Sequence, residues 1–272
     1  INVIMVFIFL FANYFVGAQD SLKFAHEVYQ VKPNPKAEFA TLKNGFKYIL
    51  LPNKTPEKRV LVYLFVNSGS LNETDKQQGL AHFLEHMAFN GTKNYPGDSL
   101  VAFFKKIGMD FGGDTNAYTD FGETVYSLNL PDEKLMKEGI SIAADYAMNM
   151  LLALEEIEKE RGVILSEKRA RDDIDFRIQY QGFQFAMPGS IVANRFPIGL
   201  EDSIKTFKRE EFVDYYQTWY RPENMALIVV GDIETKKWSK AITKEFKSFK
   251  AKSPKREPAV IKDVGHQGLK IN

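Results

Sequence analysis

The alternation of apolar and polar positions divides the 272-residue chain into an apolar leader, a strand-rich opening, and a series of amphipathic helices interrupted by two further strands. Residues 3–16 are apolar apart from Asn13 and Tyr14. They run into Val16-Gly17-Ala18 ahead of Gln19-Asp20, a small-residue pattern that fits signal-peptidase cleavage after Ala18. The run falls short of the roughly 20 residues that a membrane helix needs. Residues 1–18 therefore read as an export signal rather than an uncleaved anchor, and the mature chain is expected in the periplasm or outside the cell, with no stable membrane span. Residue 1 is Ile and no basic residue precedes Lys23, so the chain is expected to be a piece of a longer reading frame.

A polar lead-in at 19–38, with Pro33 and Pro35, precedes the first strands. Asn44-Gly45 is a hairpin signal between strands predicted at 39–43 and 46–51. Residues 60–66, VLVYLFV, form a continuous apolar run that predicts a strand buried on both faces. Helices are predicted at 78–89 and at 99–107, the second closed by Gly108. A strand follows at 124–130, then a helix beginning at Pro131-Asp132 whose apolar positions keep the 3.6 period from Leu135 to Met150. The remaining predicted elements are helices at 155–171, 209–220 and 235–249 and a strand at 226–230; the tail at 251–272, with Pro254 and Pro258, reads as a linker. Three strands come before the first predicted helix and no regular strand–helix alternation follows. That order predicts an α+β fold, a mixed but mainly antiparallel sheet with helices packed on it, over residues 39–250.

Lys and Arg total 36 against 35 Asp and Glu, which disfavours a nucleic-acid binder driven by bulk charge. The absence of cysteine removes thiol nucleophiles, disulfides and thiolate metal sites. Chemistry must then come from His, carboxylates, hydroxyls, Lys or a metal held by nitrogen and oxygen.

The stretch Gly79-Leu80-Ala81-His82-Phe83-Leu84-Glu85-His86-Met87-Ala88-Phe89 concentrates that chemistry. On a helix Leu80, Phe83, Leu84 and Met87 share one face, and His82, Glu85 and His86 share the other, bordered by small and aromatic residues. A helix apolar nearly all round is a buried one, and ionisable groups on it must be paired, neutral or bound to metal. Histidines at i and i+4 suit two imidazoles on one zinc, with Glu85 placed to reach a water rather than the metal. The order H-x-x-E-H is the inverse of the zincin H-E-x-x-H. A catalytic zinc takes a third protein ligand. Between 155 and 173 there are seven acidic and five basic side chains, the composition of a solvated helix face, yet Ile157, Glu160, Ile164 and Glu167 are spaced 3, 4 and 3 and set two carboxylates on the apolar stripe. One as ligand and the other as acceptor for a ligating imidazole N–H accounts for both.

With these residues the chain resembles the N-terminal part of the zinc peptidase family of pitrilysin, insulin-degrading enzyme and mitochondrial processing peptidase. The resemblance rests on His82-Phe83-Leu84-Glu85-His86-Met87 with Asn90-Gly91-Thr92; Asn116-Ala117-Tyr118-Thr119 with Glu123-Thr124-Val125-Tyr126; and Glu160-Arg161-Gly162-Val163-Ile164-Leu165-Ser166-Glu167. Pro197-Ile198-Gly199, Trp219-Tyr220-Arg221-Pro222 and Val230-Gly231-Asp232 continue it in the family's order, and Phe111-Gly112-Gly113-Asp114 is similar to exported bacterial members. The resemblance implies a processing-peptidase-like metallohydrolase half and a zinc endopeptidase acting on peptides or unfolded segments. It implies one zinc held by His82, His86 and Glu167, with Glu85 as general base toward the water that the zinc activates and Glu160 behind a ligand. Glu167 lies 81 positions after His86, a few more than the family usually shows, and Glu160 lies 74 after it; the extra residues fall mostly before Asn116, where Gly108, Gly112 and Gly113 mark a loop. Asn116 and Ala117 match an edge strand that pairs with the substrate backbone. The family encloses its chamber with a second homologous half, in the same chain or in a partner subunit, which supplies an Arg and a Tyr to polarise the scissile carbonyl.

The alternative function is a non-catalytic peptide-binding or assembly subunit of the same fold, which an incomplete zinc motif would have favoured. Tyr118 is expected in a core or pocket wall, His26 and His266 on the surface, and Trp219 and Tyr220 in the core. Asn72 and Asn90, formal glycosylation acceptors, are expected in turns.

Overall fold

The computed structural model describes residues 22–110 and 112–261. The predicted signal segment, its cleavage point, Phe111, His266 and half of the predicted linker, 262–272, lie outside the described residues. A six-stranded sheet runs in the order β1-β2-β6-β3-β5-β4, with β1 at Glu38–Thr41, β2 at Lys47–Pro52, β3 at Val60–Val66, β4 at Thr115–Thr119, β5 at Thr124–Leu130 and β6 at Met225–Gly231. Every neighbouring pair is antiparallel except β2 and β6. The fold is thus the expected α+β arrangement, and the one parallel pairing arises because β6, from the far end of the chain, enters between β2 and β3.

Turn chemistry and side-chain period account for these elements. At the β1–β2 reversal Gly45 takes a φ of 92°, a left-handed conformation open to glycine, and Asn44 donates its amide to the carbonyls of Phe246 and Phe249. That ties the hairpin to α9 (Thr235–Phe246), where Phe46 stacks on Phe246 at 4.1 Å. The strand at 60–66 departs from its expected burial. Val60, Val62, Leu64 and Val66 are buried, whereas Leu61 is 36% exposed and Tyr63 and Phe65 are half-buried. Among the described residues, helices cover one face of this sheet, so an apolar run that fits a two-sided core strand instead has one face partly open.

The covered face carries α4 (Met136–Met148) and α9 over β2, β3 and β5, and α2 (Leu80–Met87) over β4 and β5. Against α2 pack α5 (Leu154–Arg171) and α8 (Arg209–Trp219). Phe83, Tyr126, Tyr146, Phe212 and Leu80 are almost fully buried in this layer, each contributing about 1.5–3 kcal/mol by leaving water. Trp219 and Tyr220 are buried there too, as expected.

Three helices lie outside the expected set. A single-turn α1 (Ala25–Val28) precedes β1, so the sheet does not open the fold, and His26 sits half-buried with its ring edge-on to Phe39 at 4.6 Å. The others are α6 (Ile174–Ala186) and the short α7 (Glu201–Thr206); α3 (Ser99–Lys106) lies where a helix is predicted, with Gly108 left-handed after it. Among the described residues, no helix is long and apolar enough to cross a membrane.

Candidate metal centre

The start of α2 is held unusually firmly. Gly79 takes a φ of 99° ahead of the first turn, and the buried carboxylate of Glu73 accepts from the N–H groups of Gly79 at 3.0 Å and Ala81 at 2.8 Å, donors that a helix N-terminus otherwise leaves unpaired. Burial pushes Glu73 up to about 8, the two N–H groups and Arg195 pulling the other way. Gly199 packs backbone to backbone on Gly79: a Cβ there would lie 2.3 Å from the Gly79 Cα. Leu200 N–H donates to the carbonyl of Gln78, and Arg195 Nε to that of Glu73. The segment around Pro197-Ile198-Gly199 is therefore the seat of this helix, which only glycine at 79 and 199 permits.

Helix α5 crosses beside α2 with acidic residues in its first turn and Lys168, Arg169 and Arg171 in its last, matching the helix dipole at both ends. Arg161 donates to the carbonyls of Ile204 and Phe207 and fixes α5 to α7. These contacts bring the predicted ligands together. His82 Nε2 lies 3.6 Å from Glu167 Oε1, and His86 Nε2 lies 3.4 Å from Glu167 Oε2. One donor atom from each of His82, His86 and Glu167 falls within 4.8 Å of the others. Donors about 2.0–2.2 Å from a tetrahedral zinc stand roughly 3.3–3.6 Å apart; the two His–Glu167 separations are of that size, each to a different carboxylate oxygen.

The ring nitrogens of His82 provide a second test of fit. His82 is 5% exposed, its Nδ1 is buried without a hydrogen-bond partner, and its Nε2 faces Glu167 at more than hydrogen-bond length. Burial pushes its pKa down to about 4, with the neighbouring His86 charge in support, so the ring is neutral and a lone pair is free for a metal. His86 behaves oppositely. Burial opposes its charge, but Glu160 and Glu167 outweigh that and hold it up at about 9. The hydrogen bond with His86 pulls Glu167 down to about 2, and burial does not offset it. Without a metal, a proton on His86 lies between the carboxylates, and the Arg171 guanidinium, 2.5 Å from Glu167 Oε1, adds a second positive charge at Glu167.

Glu160 stands behind the ligands: its Oε1 is 2.8 Å from His86 Nδ1, leaving Nε2 to face Glu167. Glu85 points from α2 toward β4 and is 6% exposed. Burial pushes it up to about 7, and the hydroxyl of Thr119, donating to Oε2 at 2.7 Å, pulls it back down. Sequence singles out neither Thr119 nor Glu73 and reads Asn90 as a turn residue; the family-like strings contain Asn90 and Thr119, but only the contacts reveal what they touch.

Asn116 and Ala117 lie on β4, opposite Ser127 and Tyr126 of β5. β4 ends the sheet, so among the described residues its outer edge pairs with no strand. Tyr118 is not in a core: it is 50% exposed and donates its hydroxyl to Glu123. The alternation along an edge strand turns it away from the helices, and Thr119 turns toward them. A separate cleft of about 770 Å³ lies beside α6, lined by Phe176, Tyr180, Phe196, Lys168 and Arg195 among others, and includes none of His82, Glu85, His86, Glu160 or Glu167.

Two family descriptions match the chain: "Insulinase (Peptidase family M16)" over residues 48–178, and "Peptidase M16 inactive domain" over residues 206–271. All five residues of the centre fall in the first. The chain is 40% identical to the probable zinc protease PqqL of Haemophilus influenzae over 75% of its own length and 22% of that protein's. It is 34% identical to the chloroplastic stromal processing peptidase of Pisum sativum, over 75% of this chain and 16% of that one. Among solved structures, the first half of the periplasmic protease PqqL from Escherichia coli superposes with a TM-score of 0.79 at 34% identity, over 85% of this chain and 50% of that one. The chain spans only about a fifth to a quarter of the length of the curated relatives it matches first.

Proposed function

The chain belongs to peptidase family M16, the insulinase family, and from that footing we propose that it is the metal-binding part of a zinc endopeptidase that hydrolyses peptides or unfolded protein segments. The observation that carries this reading is the convergence of His82, His86 and Glu167 from two helices onto one point, with Glu160 turning His86 toward it. Zinc, when bound there, supplies a Lewis acid that polarises the scissile carbonyl and makes water more acidic.

The remaining chemistry falls to the chain's own groups. Glu85 accepts a proton from the attacking water and later delivers it to the leaving amine nitrogen. A carboxyl raised to about 7 is suited to both transfers near neutral pH. The open edge of β4 receives the peptide as an added strand, main chain to main chain, with Asn116 and Ala117 beside the general base and Thr119 linking that strand to Glu85. Residues 39–250 form the zinc-binding domain, and 251–272 lead on toward a second homologous half, in this longer chain or in a partner subunit, that completes the site. Export to the periplasm is proposed from the leader at 1–18 and from the description of the Escherichia coli neighbour as periplasmic. A purely peptide-binding role is disfavoured because ligands, base and supporting carboxylate are all present.

Elemental analysis of the purified protein tests the centre. About one zinc per wild-type chain is expected, lost in Glu167→Gln and largely retained in Glu160→Gln. A well-folded wild type without zinc refutes the reading and moves the peptide-binding role ahead.

A further inference from the structure

We propose that Asn90 is a positioning residue of the metal centre, acting on His86 through Glu160; the inference rests on the reading of His86 as a zinc ligand. One carboxylate bridges the two residues. Glu160 Oε2 accepts from Asn90 Nδ2 at 2.8 Å, and Oε1 lies 2.8 Å from His86 Nδ1. A glutamate held by one oxygen alone can still rotate about its last torsion. Held at both oxygens it has one plane left, which fixes the direction in which Oε1 meets the imidazole.

Asn90 can do this because its own backbone is pinned. Its N–H donates to the carbonyl of Met87 at the end of α2, Gly91 turns the chain at a φ of 122°, and the Gly91 carbonyl accepts from Leu151. Thr92 then bridges to Met150, and its hydroxyl donates to the buried Asp145, which also accepts from the backbone and side chain of Asn94. The carboxamide is therefore presented from a turn anchored to α4 as well as to α2. Only a donor fits opposite Glu160: Asn90→Asp keeps the shape but sets two carboxylates face to face. The same contact gives the Asn90-Gly91-Thr92 string an internal role, since the nitrogen that glycosylation would use is already engaged.

The test is a double-mutant cycle read as zinc affinity, by competition with a chromophoric chelator at mildly alkaline pH, with thermal melts of the metal-free proteins alongside. Asn90→Ala is expected to weaken zinc binding roughly threefold to tenfold, less than the loss typical of a group that touches the ligand directly. Asn90→Asp should lose more than Asn90→Ala. On the Glu160→Gln background Asn90→Ala should cost nothing further, because its route to His86 is already broken. Asn90→Ser replaces the alanine variant if that one fails to fold. Unchanged zinc affinity in Asn90→Ala, or the same loss on both backgrounds, overturns the proposal, as does a lowered melting temperature with unaltered affinity. A wild type that binds no zinc refutes the metal centre itself, which distinguishes failure of the proposed function from failure of this inference alone.

Discussion

Replacing Glu160 by Gln probes how the centre holds charge before a metal arrives. Burial alone would lower the pKa of His86; the hydrogen bond to Glu160 is the largest influence that raises it, and the result is about 9. A ligating imidazole must be neutral. At pH 7 the wild type therefore gives up roughly 100-fold in apparent zinc affinity to displace that proton, tenfold for each of two pH units; at pH 9 the loss is only about twofold. His82, held down at about 4, and Glu167, at about 2, are already in their ligating forms over this range. Glu160→Gln lowers the His86 pKa and so shrinks the proton penalty, while the lost orientation costs about 10–100-fold at any pH. The ratio of wild-type to variant affinity should accordingly grow between pH 7 and pH 9, by at most about 50-fold if the variant pays no penalty at all. Chelator competition across that range measures it, and any proton released elsewhere at the metal is common to both proteins and cancels. A ratio that is constant, or that falls with rising pH, would refute a protonated His86 between the carboxylates.

Three further outcomes are expected. Thr119→Val removes the hydroxyl that pulls the Glu85 pKa down, so in the assembled peptidase the acid limb of the kcat/KM profile should move to higher pH, with roughly fivefold less activity just below neutrality; an unmoved limb would dissociate Thr119 from the base. Gly199→Ala places a Cβ 2.3 Å from the Gly79 Cα at a φ of 71° and should cost about 3 kcal/mol, a fall of roughly 6–12 °C in Tm; a fall of less than a couple of degrees would mean the seat of α2 can give way. Glu73 binds a proton in the folded chain up to about 8 that the unfolded chain has lost near 4.5, so its contribution is complete below 4.5 and disappears as pH rises to 8. Melts at pH 5 and pH 8 should therefore show wild type losing ground to Glu73→Gln as pH rises, and parallel behaviour would count against a protonated Glu73.

The zinc helix and most strands were readable because their side chains repeat with the period of the element that holds them. Helix α6 was not. Its apolar residues Ile174, Phe176, Ile178 and Tyr180 alternate like a strand, and none of its residues is buried. It is a helix because Asp173 caps its first turn and because Phe176, Tyr180 and Phe183 gather on Phe196, a partner distant in sequence. β4 was legible only by resemblance, since Thr-Asn-Ala-Tyr-Thr has little apolar alternation and takes its form from pairing with β5. Spacing alone left Glu160 and Glu167 interchangeable. Both face α2, and what separates them is their position along α5, about 10.5 Å apart, which brings Glu167 to both Nε2 atoms and Glu160 to the far nitrogen of His86.

The place of β6 in the middle of the sheet also governs the order of events at the ribosome. β2 and β3 have no hydrogen bonds to each other in the finished sheet; β6 lies between them, and Gly231 follows Glu167 by 64 positions. At the usual pace of synthesis, about 5–20 residues per second, the last metal ligand precedes completion of the sheet by roughly 3–13 s. Through that interval the chain carries both histidines and both carboxylates without α8, which packs on α2, and without the strand that joins the β1–β2 hairpin to β3. Completion of the sheet therefore waits for β6, and a truncation before residue 225 would make every ligand while leaving β2 and β3 unjoined.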